Sequence, residues 1–208
     1  MMFLFLIIFL AYLIGSIPTA VWVGRKFHGI DVREHGSKNA GATNTFRVLG
    51  RKSGWIVLII DVAKGLLAAI LPLLFETDYS ENQLLFFQLS TSFVCIIGHV
   101  YPVFAQFKGG KGVATSLGII IGLNPISAGI SLLIFLIVFL ASRYVSLGAI
   151  ITSIAYPFIS YFIVKEDAKS MIVFTVLIGV LIVLSHRKNI KRLINGEESR
   201  MNLSKRKA

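Results

Sequence analysis

The sequence predicts an all-α fold: a polytopic integral membrane helical bundle of about seven transmembrane helices. Three observations carry that expectation. The 208 residues are 55% hydrophobic with a mean hydropathy of +0.79, well above a soluble domain. Apolar stretches begin near Met2, Gly54, Leu84, Val113, Ile126, Val145 and Ser170 and consume most of the chain. The cations gather in alternate connecting segments, as the positive-inside rule requires. One compact membrane domain over 1–198 is expected, with no second domain, followed by a basic tail over 199–208. Cys95, the single cysteine, lies inside an apolar run, so no internal disulfide is expected. His28, His35, His99 and His186 are too dispersed to suggest a zinc site.

The first apolar stretch ends in small residues at "GSIPTA", as a signal peptide would. It lacks a basic leading region, and Arg25 and Lys26 follow it instead. That order predicts a retained helix running to about Val23, with its N-terminus outside. Seven crossings then place most of the 21 Lys and Arg inside: seven in the first loop, two in "KGGKG", Arg143, and eight after the last helix. Outside, Lys165 and Lys169 stand among Glu76, Asp78, Glu81, Glu166 and Asp167. The C-terminus is therefore expected on the cytoplasmic side. The net charge of +11 is mostly a topology signal that also suits anionic lipid or an anionic substrate. No nucleic-acid recognition module is visible, so no nucleic-acid partner is expected.

The first inside loop, to Ser53, is too long for a mere connection. The second helix, Gly54 to Phe75, carries Asp61 and Lys64 three residues apart, on one face where they can pair. Either charge alone would cost about 2.5 to 3.5 kcal/mol at the bilayer centre, so pairing is the simpler account, with a direct site role the alternative. The third helix ends in "GHVYPVFAQF". The next apolar stretch, Val113 to Leu123, closes at Asn124 and Pro125. It reaches only about 16 Å against a hydrocarbon core of about 30 Å. Its N-terminus is therefore expected below headgroup level, pointing backbone N–H groups into a polar pocket, as broken helices do when they hold anions.

Four polar clusters interrupt the apolar chain, and the expected topology puts all four on the inside face. In "HGSKNAGATNTFRVLG", Ser37, Asn39, Thr43, Asn44 and Arg47 stand among Gly36 and Gly41, a composition suited to a backbone nest around an anion. "ATNTFRVLG" reads as a short interfacial helix anchored by Phe46 and Leu49. A glycine-rich surface turn is the other account. In "FKGGKGVATSLG", Gly109, Gly110 and Gly112 allow close backbone approach and Lys111 supplies charge, the needs of a phosphate cradle. It is not a Walker A loop, since valine follows "GGKG" and no nucleotide-binding domain surrounds it. Helix packing explains Gly118 and Gly122 as a G-x-x-x-G pair but leaves Lys111 unaccounted for. In "SRYVSLG", Arg143 ends one helix and Ser146 is placed to cap the next. In "SHRKNIKRLINGEE", His186 and Asn189 lie three apart and are expected to face the same way.

Together and in this order, "GSKNAGATNTFRVLG", "GHVYPVFAQFKGGKGVATSLG", "RYVS" and "HRKNIKRLINGEE" resemble the bacterial PlsY family of acyl-phosphate:glycerol-3-phosphate acyltransferases, over essentially the whole chain. The resemblance implies a seven-helix inner-membrane enzyme whose site opens toward the cytoplasm. Such an enzyme moves a fatty acyl group from acyl phosphate to the 1-hydroxyl of glycerol 3-phosphate, giving lysophosphatidic acid and phosphate, the first acylation of phospholipid biosynthesis. By motif position it implies that Arg47, Lys111, Ser146, His186 and Asn189 surround glycerol 3-phosphate. Ser37, Asn39, Gly41, Thr43 and Asn44 would line the acyl-phosphate end, and Glu197 would play a structural part. The peripheral acyl-phosphate-forming enzyme PlsX is the partner it suggests, beside membrane lipid. No cofactor or metal is implied, because acyl phosphate is already activated.

The residues fit that chemistry independently. Two phosphate groups sharing one pocket repel each other and demand several cations and N–H donors. The hydroxyl proton has two acceptors, His186 or the donor's own phosphate, and the sequence leaves both open. No His-x-x-x-x-Asp follows any of the four histidines, which sets the chain apart from the acyl-CoA glycerophosphate acyltransferases. A phosphate or organic-anion transporter would also need an intramembrane basic pocket, but no inverted repeat relates the halves. A structural scaffold explains the G-x-x-x-G face and not the four polar clusters.

Overall fold

The computed structural model describes residues 2–75 and 79–201. Glu76 and Asp78, expected outside, and most of the basic tail lie outside the described residues. Among the described residues every regular element is helical. Four helices among the described residues are long and apolar enough to cross a membrane, and two bent pairs raise the number to six if each is one span. The apolar stretch of eleven residues stands beside them, with the expected bounds Val113–Leu123. The helices form two compact units, Met1–Leu123 and Asn124–Ala208.

The first unit opens with α1 (Met2–Ser16) and α2 (Thr19–His28), bent by 42° from one another. One helix running to about Val23 was expected. Pro18 supplies no N–H and disfavours helical backbone at Ile17, so the ladder breaks there and resumes for ten residues. The first loop then holds a 3₁₀ turn at Val32–Glu34 and the expected short helix, α3 (Ala42–Val48). The second membrane helix, α4 (Arg51–Ile70), begins three residues before the expected Gly54, because Gly50 at φ 85° makes the turn that releases it from α3. Next come α5 (Glu81–Val100), opened by a Ser80/Gln83 capping box, and α6 (Val113–Leu123).

Small residues let these helices touch. A β-carbon on Gly118 would collide with the carbonyl of Val62, one on Gly65 with that of Thr115, and one on Gly122 with Ala69, so α4 and α6 meet backbone to backbone. Gly15 and Gly98 do the same for α1 and α5. Under the first loop, Ala20, Val21, Val32, Ala40 and Val57 form a buried cluster that seats α2 and the loop on α4.

The second unit begins where Asn124 caps α7 (Pro125–Ser142), its side chain accepting the N–H of Ser127 at 2.9 Å. Ile126, Leu133, Ile137 and Leu140 of α7 are exposed, as a lipid-facing side should be. Next are α8 (Val145–Phe158), which runs through Pro157 into a π-helical turn at Ile159–Ile163, and α9 (Lys169–Ser185). At His186 the chain turns 60° into the short basic helix α10 (Arg187–Ile194).

Candidate active site

In the first unit the polar loop is built around one buried amide. Asn44, 1% exposed on α3, points Nδ2 at the carbonyls of Val32, His35 and Asn39 at 2.8, 3.1 and 3.1 Å. Its Oδ1 accepts the Ser37 N–H at 2.8 Å. Gly36 takes φ 59°, and a β-carbon there would press on Asn44 Oδ1. The Asn44 side chain, expected at the donor end, is thus committed to shaping the loop: an amide with three carbonyls around its nitrogen has no donor left over. What the loop presents is exposed Ser37 and half-buried Asn39, Gly41 and Thr43. Arg47 lies one helical turn after Thr43 on α3, on the same side.

A brace that the sequence did not reveal fixes this loop. The Asp31 carboxylate accepts from Arg33 Nη2 at 2.7 Å and Arg25 Nη2 at 3.0 Å, while Arg33 Nη1 donates to the carbonyl of Ala105 at 2.8 Å. Hydrogen bonds from Arg33 hold the Asp31 carboxyl far below the usual carboxylate range, and Asp31 raises Arg33 in return. The first loop is so tied to the turn that leads into "KGGKG".

The glycines of "KGGKG" do something other than expected. The Gly109 and Gly110 N–H groups donate to the carbonyls of Val100 and His99, each at 3.1 Å, closing the exposed end of α5. A β-carbon on Gly109 would strike the His99 carbonyl, and one on Gly110 would strike the His99 ring. Both glycines are therefore required by close packing on α5, and their N–H groups are engaged. Gly112, at φ 83°, turns the chain into α6. The first hydrogen bond of α6 is Ser116 N–H to Gly112 O at 2.7 Å, so the N–H groups of its opening turn precede any intrahelical acceptor. Half-buried Lys111 stands at this turn, whereas Lys108 is exposed.

In the second unit one carboxylate gathers the polar residues. Glu198 Oε1 accepts from Ser146 Oγ and Asn189 Nδ2, both at 2.7 Å, and Oε2 accepts from Arg192 Nε at 2.6 Å. Burial alone would raise this carboxyl, but the hydrogen bonds from Ser146, Asn189 and Arg192 outweigh it and hold it below its ordinary value. Two expectations are corrected. The structural glutamate is Glu198, while Glu197 is exposed. Ser146 does not cap α8, whose cap position is Tyr144; its hydroxyl is turned to Glu198 instead. His186 and Asn189, expected to face the same way, are both buried, at 3% and 5% exposure. Because a carbonyl only accepts, the contact of His186 Nδ1 with Ile182 O at 2.8 Å puts a proton on Nδ1 and makes Nε2 the acceptor of the neutral ring.

The fold and site define a multi-pass helical membrane protein with glycine-bound basic loops, a buried Ser146, Asn189 and Glu198 cluster, and His186 buried three residues before Asn189. Comparison with known proteins narrows it: the family model for glycerol-3-phosphate acyltransferase matches residues 5–196, and the chain belongs to that family. It is 46% identical to a glycerol-3-phosphate acyltransferase of Bacillus cytotoxicus over 97% of each chain. With that of Macrococcus caseolyticus it shares 46% over 96% of this chain and 98% of the relative. Its fold matches crystal structures of PlsY, an integral membrane glycerol 3-phosphate acyltransferase, in the glycerol 3-phosphate form (TM-score 0.85, 39% identity, 96% of each chain) and in the lysophosphatidic acid form (TM-score 0.82, 38% identity, 96% and 95%).

Proposed function

We propose that this acyltransferase takes its acyl group from acyl phosphate, acylates the 1-hydroxyl of glycerol 3-phosphate, and releases lysophosphatidic acid and inorganic phosphate. The observation that carries the reading is the near-complete likeness to PlsY structures described with glycerol 3-phosphate and with lysophosphatidic acid. The donor is the finer step. It is supported by motifs that resemble those of an acyl-phosphate user and by the lack of His-x-x-x-x-Asp.

In this reading Arg47 and Lys111 neutralise phosphate charge in the first unit, with the opening turn of α6 as backbone donor. Ser37, Asn39, Gly41 and Thr43 serve the donor phosphate, and Asn44 holds them in place. Gly109, Gly110 and Gly112 set the position of Lys111. In the second unit Asn189 and His186 bind and orient the acceptor, and Ser146 is held ready by Glu198. The acceptor hydroxyl oxygen bonds to the acyl carbon, the bond from that carbon to the phosphate oxygen breaks, and the hydroxyl proton leaves with the phosphate or on His186 Nε2. His186→Gln separates the two acceptors: a retained pH dependence of kcat with modest loss of rate assigns the proton to phosphate, and a collapse in kcat with loss of its pH dependence assigns it to His186.

The acyl chain stays in lipid while the charged groups meet on the cytoplasmic side of a bacterial plasma membrane, where PlsX would supply the donor. Purified protein given acyl phosphate and glycerol 3-phosphate in detergent, without metal, is expected to make lysophosphatidic acid, and acyl-CoA is expected not to replace the donor. Equal rates with acyl-CoA would refute the donor assignment. Absence of product from either donor would return the chain to the transporter reading.

A further inference from the structure

The sequence leaves Asp61 and Lys64 without a task in the reaction. Both lie on α4, 2% and 5% exposed, with Lys64 Nζ 2.9 Å from Asp61 Oδ1. A pair that merely cancelled its own charge would need no further partners, yet this one reaches three other segments. Thr19 Oγ1, at the start of α2, donates to Asp61 Oδ1 at 3.1 Å. Lys64 Nζ donates to the carbonyl of Ile17 at 3.1 Å, within the break that Pro18 makes between α1 and α2. The His99 ring, at the end of α5, packs beside the pair with Nδ1 3.9 Å from Asp61 Oδ1, beyond hydrogen-bond reach. On its other edge it lies so close to Gly110 that no β-carbon fits there.

These groups line one small pocket together with Ala40, which sits between Asn39 and Gly41, and with Gly110 itself. The pocket therefore touches both phosphate-reading loops of the first unit. Charge cancels within the pair, so a second anion site is not what it offers. Its chemistry is that of a fixed post: the ammonium and carboxylate hydrogen-bond Ile17 in the break and Thr19 at the start of α2, and the imidazole packs between the carboxylate and Gly110. A buried ion pair is in general replaceable by apolar residues with little loss of stability, which makes its contacts with the loops the informative feature.

We propose that Asp61 and Lys64, through His99, are positioning residues of the acyl transfer, setting the "KGGKG" loop and hence the Lys111 ammonium against substrate phosphate. This rests on the reading of Lys111 as a phosphate ligand. A misplacement of the loop weakens phosphate binding more than it alters the reacting atoms, so the signature is a change in KM. The variants are Asp61→Leu/Lys64→Met together, Thr19→Val, and Lys111→Met as the control for the underlying reading. Thr19→Val changes no charge and keeps the helix.

The expected result is that the double variant, purified and unfolding within a few degrees of the parent, shows KM for glycerol 3-phosphate or Ki for inorganic phosphate raised about tenfold or more, with kcat lowered less than about threefold. Thr19→Val should raise the same constants about threefold. Parental constants in a folded double variant, beside an impaired Lys111→Met, overturn the positioning role and leave the phosphate reading standing. Parental constants in Lys111→Met overturn both. If the double variant does not fold, Thr19→Val decides: unchanged constants overturn the proposal, and a KM shift at constant kcat supports it.

Discussion

Glu198→Gln tests the second-unit cluster most sharply. The carboxylate accepts from Ser146 and Asn189 at 2.7 Å and from Arg192 at 2.6 Å. Glutamine keeps one carbonyl oxygen for Ser146 and Asn189 but turns an NH₂ toward Arg192, donor against donor. The charge-assisted bond to Arg192 is worth about 1.5 to 3 kcal/mol, reduced because Arg192 is 35% exposed. Weakening the two bonds from the neutral donors Ser146 and Asn189 brings the loss to about 2 to 4 kcal/mol. For a chain of this size that is a drop in Tm of about 5 to 15 °C, read by thermal unfolding in detergent. Turnover at permissive temperature should fall about tenfold, since Ser146 and Asn189 lose their common anchor. The pH dependence has a definite sign. The folded-state carboxyl is held below its ordinary value, so its stabilisation is complete above an unfolded value of about 4.3 and is lost as pH falls through the folded one. The variant should lack that acid-side decline. Glu197→Gln, at an exposed side chain, should change none of this. Parental Tm and turnover in Glu198→Gln, or losses confined to Glu197→Gln, would refute the assignment.

Lys111→Met should leave folding intact and lower kcat/KM by roughly tenfold to several hundredfold, with Lys108→Met doing much less; steady-state assays at matched expression check both. Single cysteines at exposed Ser37, Lys108 and Glu197 in a Cys95→Ala background should resist an impermeant thiol reagent on intact cells, and one at exposed Asp167 should react; labelling at Lys108 and not at Asp167 rejects the orientation. Gly118→Leu drives a side chain into the Val62 carbonyl and should cost about 3 kcal/mol or more, seen as a lower Tm and reduced yield in detergent.

The legibility of the fold followed the range of the forces involved. Apolar length and the charge asymmetry of loops are local properties, so α6 appeared with its own bounds and the Asp61–Lys64 pair could be read from spacing alone. Bends were harder. Hydropathy falls from α1 to α2 and from α9 to α10, which marks where a helix becomes polar but carries no angle, and only the broken ladder records the 42° and 60° turns. The small residues of the G-x-x-x-G pair were read correctly as packing for Gly118 and Gly122. The same reasoning applied to Gly109 and Gly110, but the neighbour they pack on, His99, is adjacent only in space.

The polar residues divide along the same line. Sequence placed Ser146, Asn189 and His186 in clusters, and it could not say which of two adjacent glutamates would meet them, because the choice depends on how the chain leaves α10. A backbone turn at Gly196, φ 72°, follows α10, and the chain beyond it buries Glu198 while Glu197 stays exposed. Asn44 shows the converse case. Its type suits an anion nest, and a buried amide with one acceptor and two donors suits a loop with free carbonyls and a free N–H equally well. Between those two uses burial decides, and Asn44 is among the most buried polar residues in the chain. The loop it shapes carries Ser37, Asn39 and Thr43, and the brace from Asp31 through Arg33 to Ala105 ties that loop to "KGGKG". Substitution within the brace is therefore expected to act on both loops at once, which side chains in only one of them cannot do.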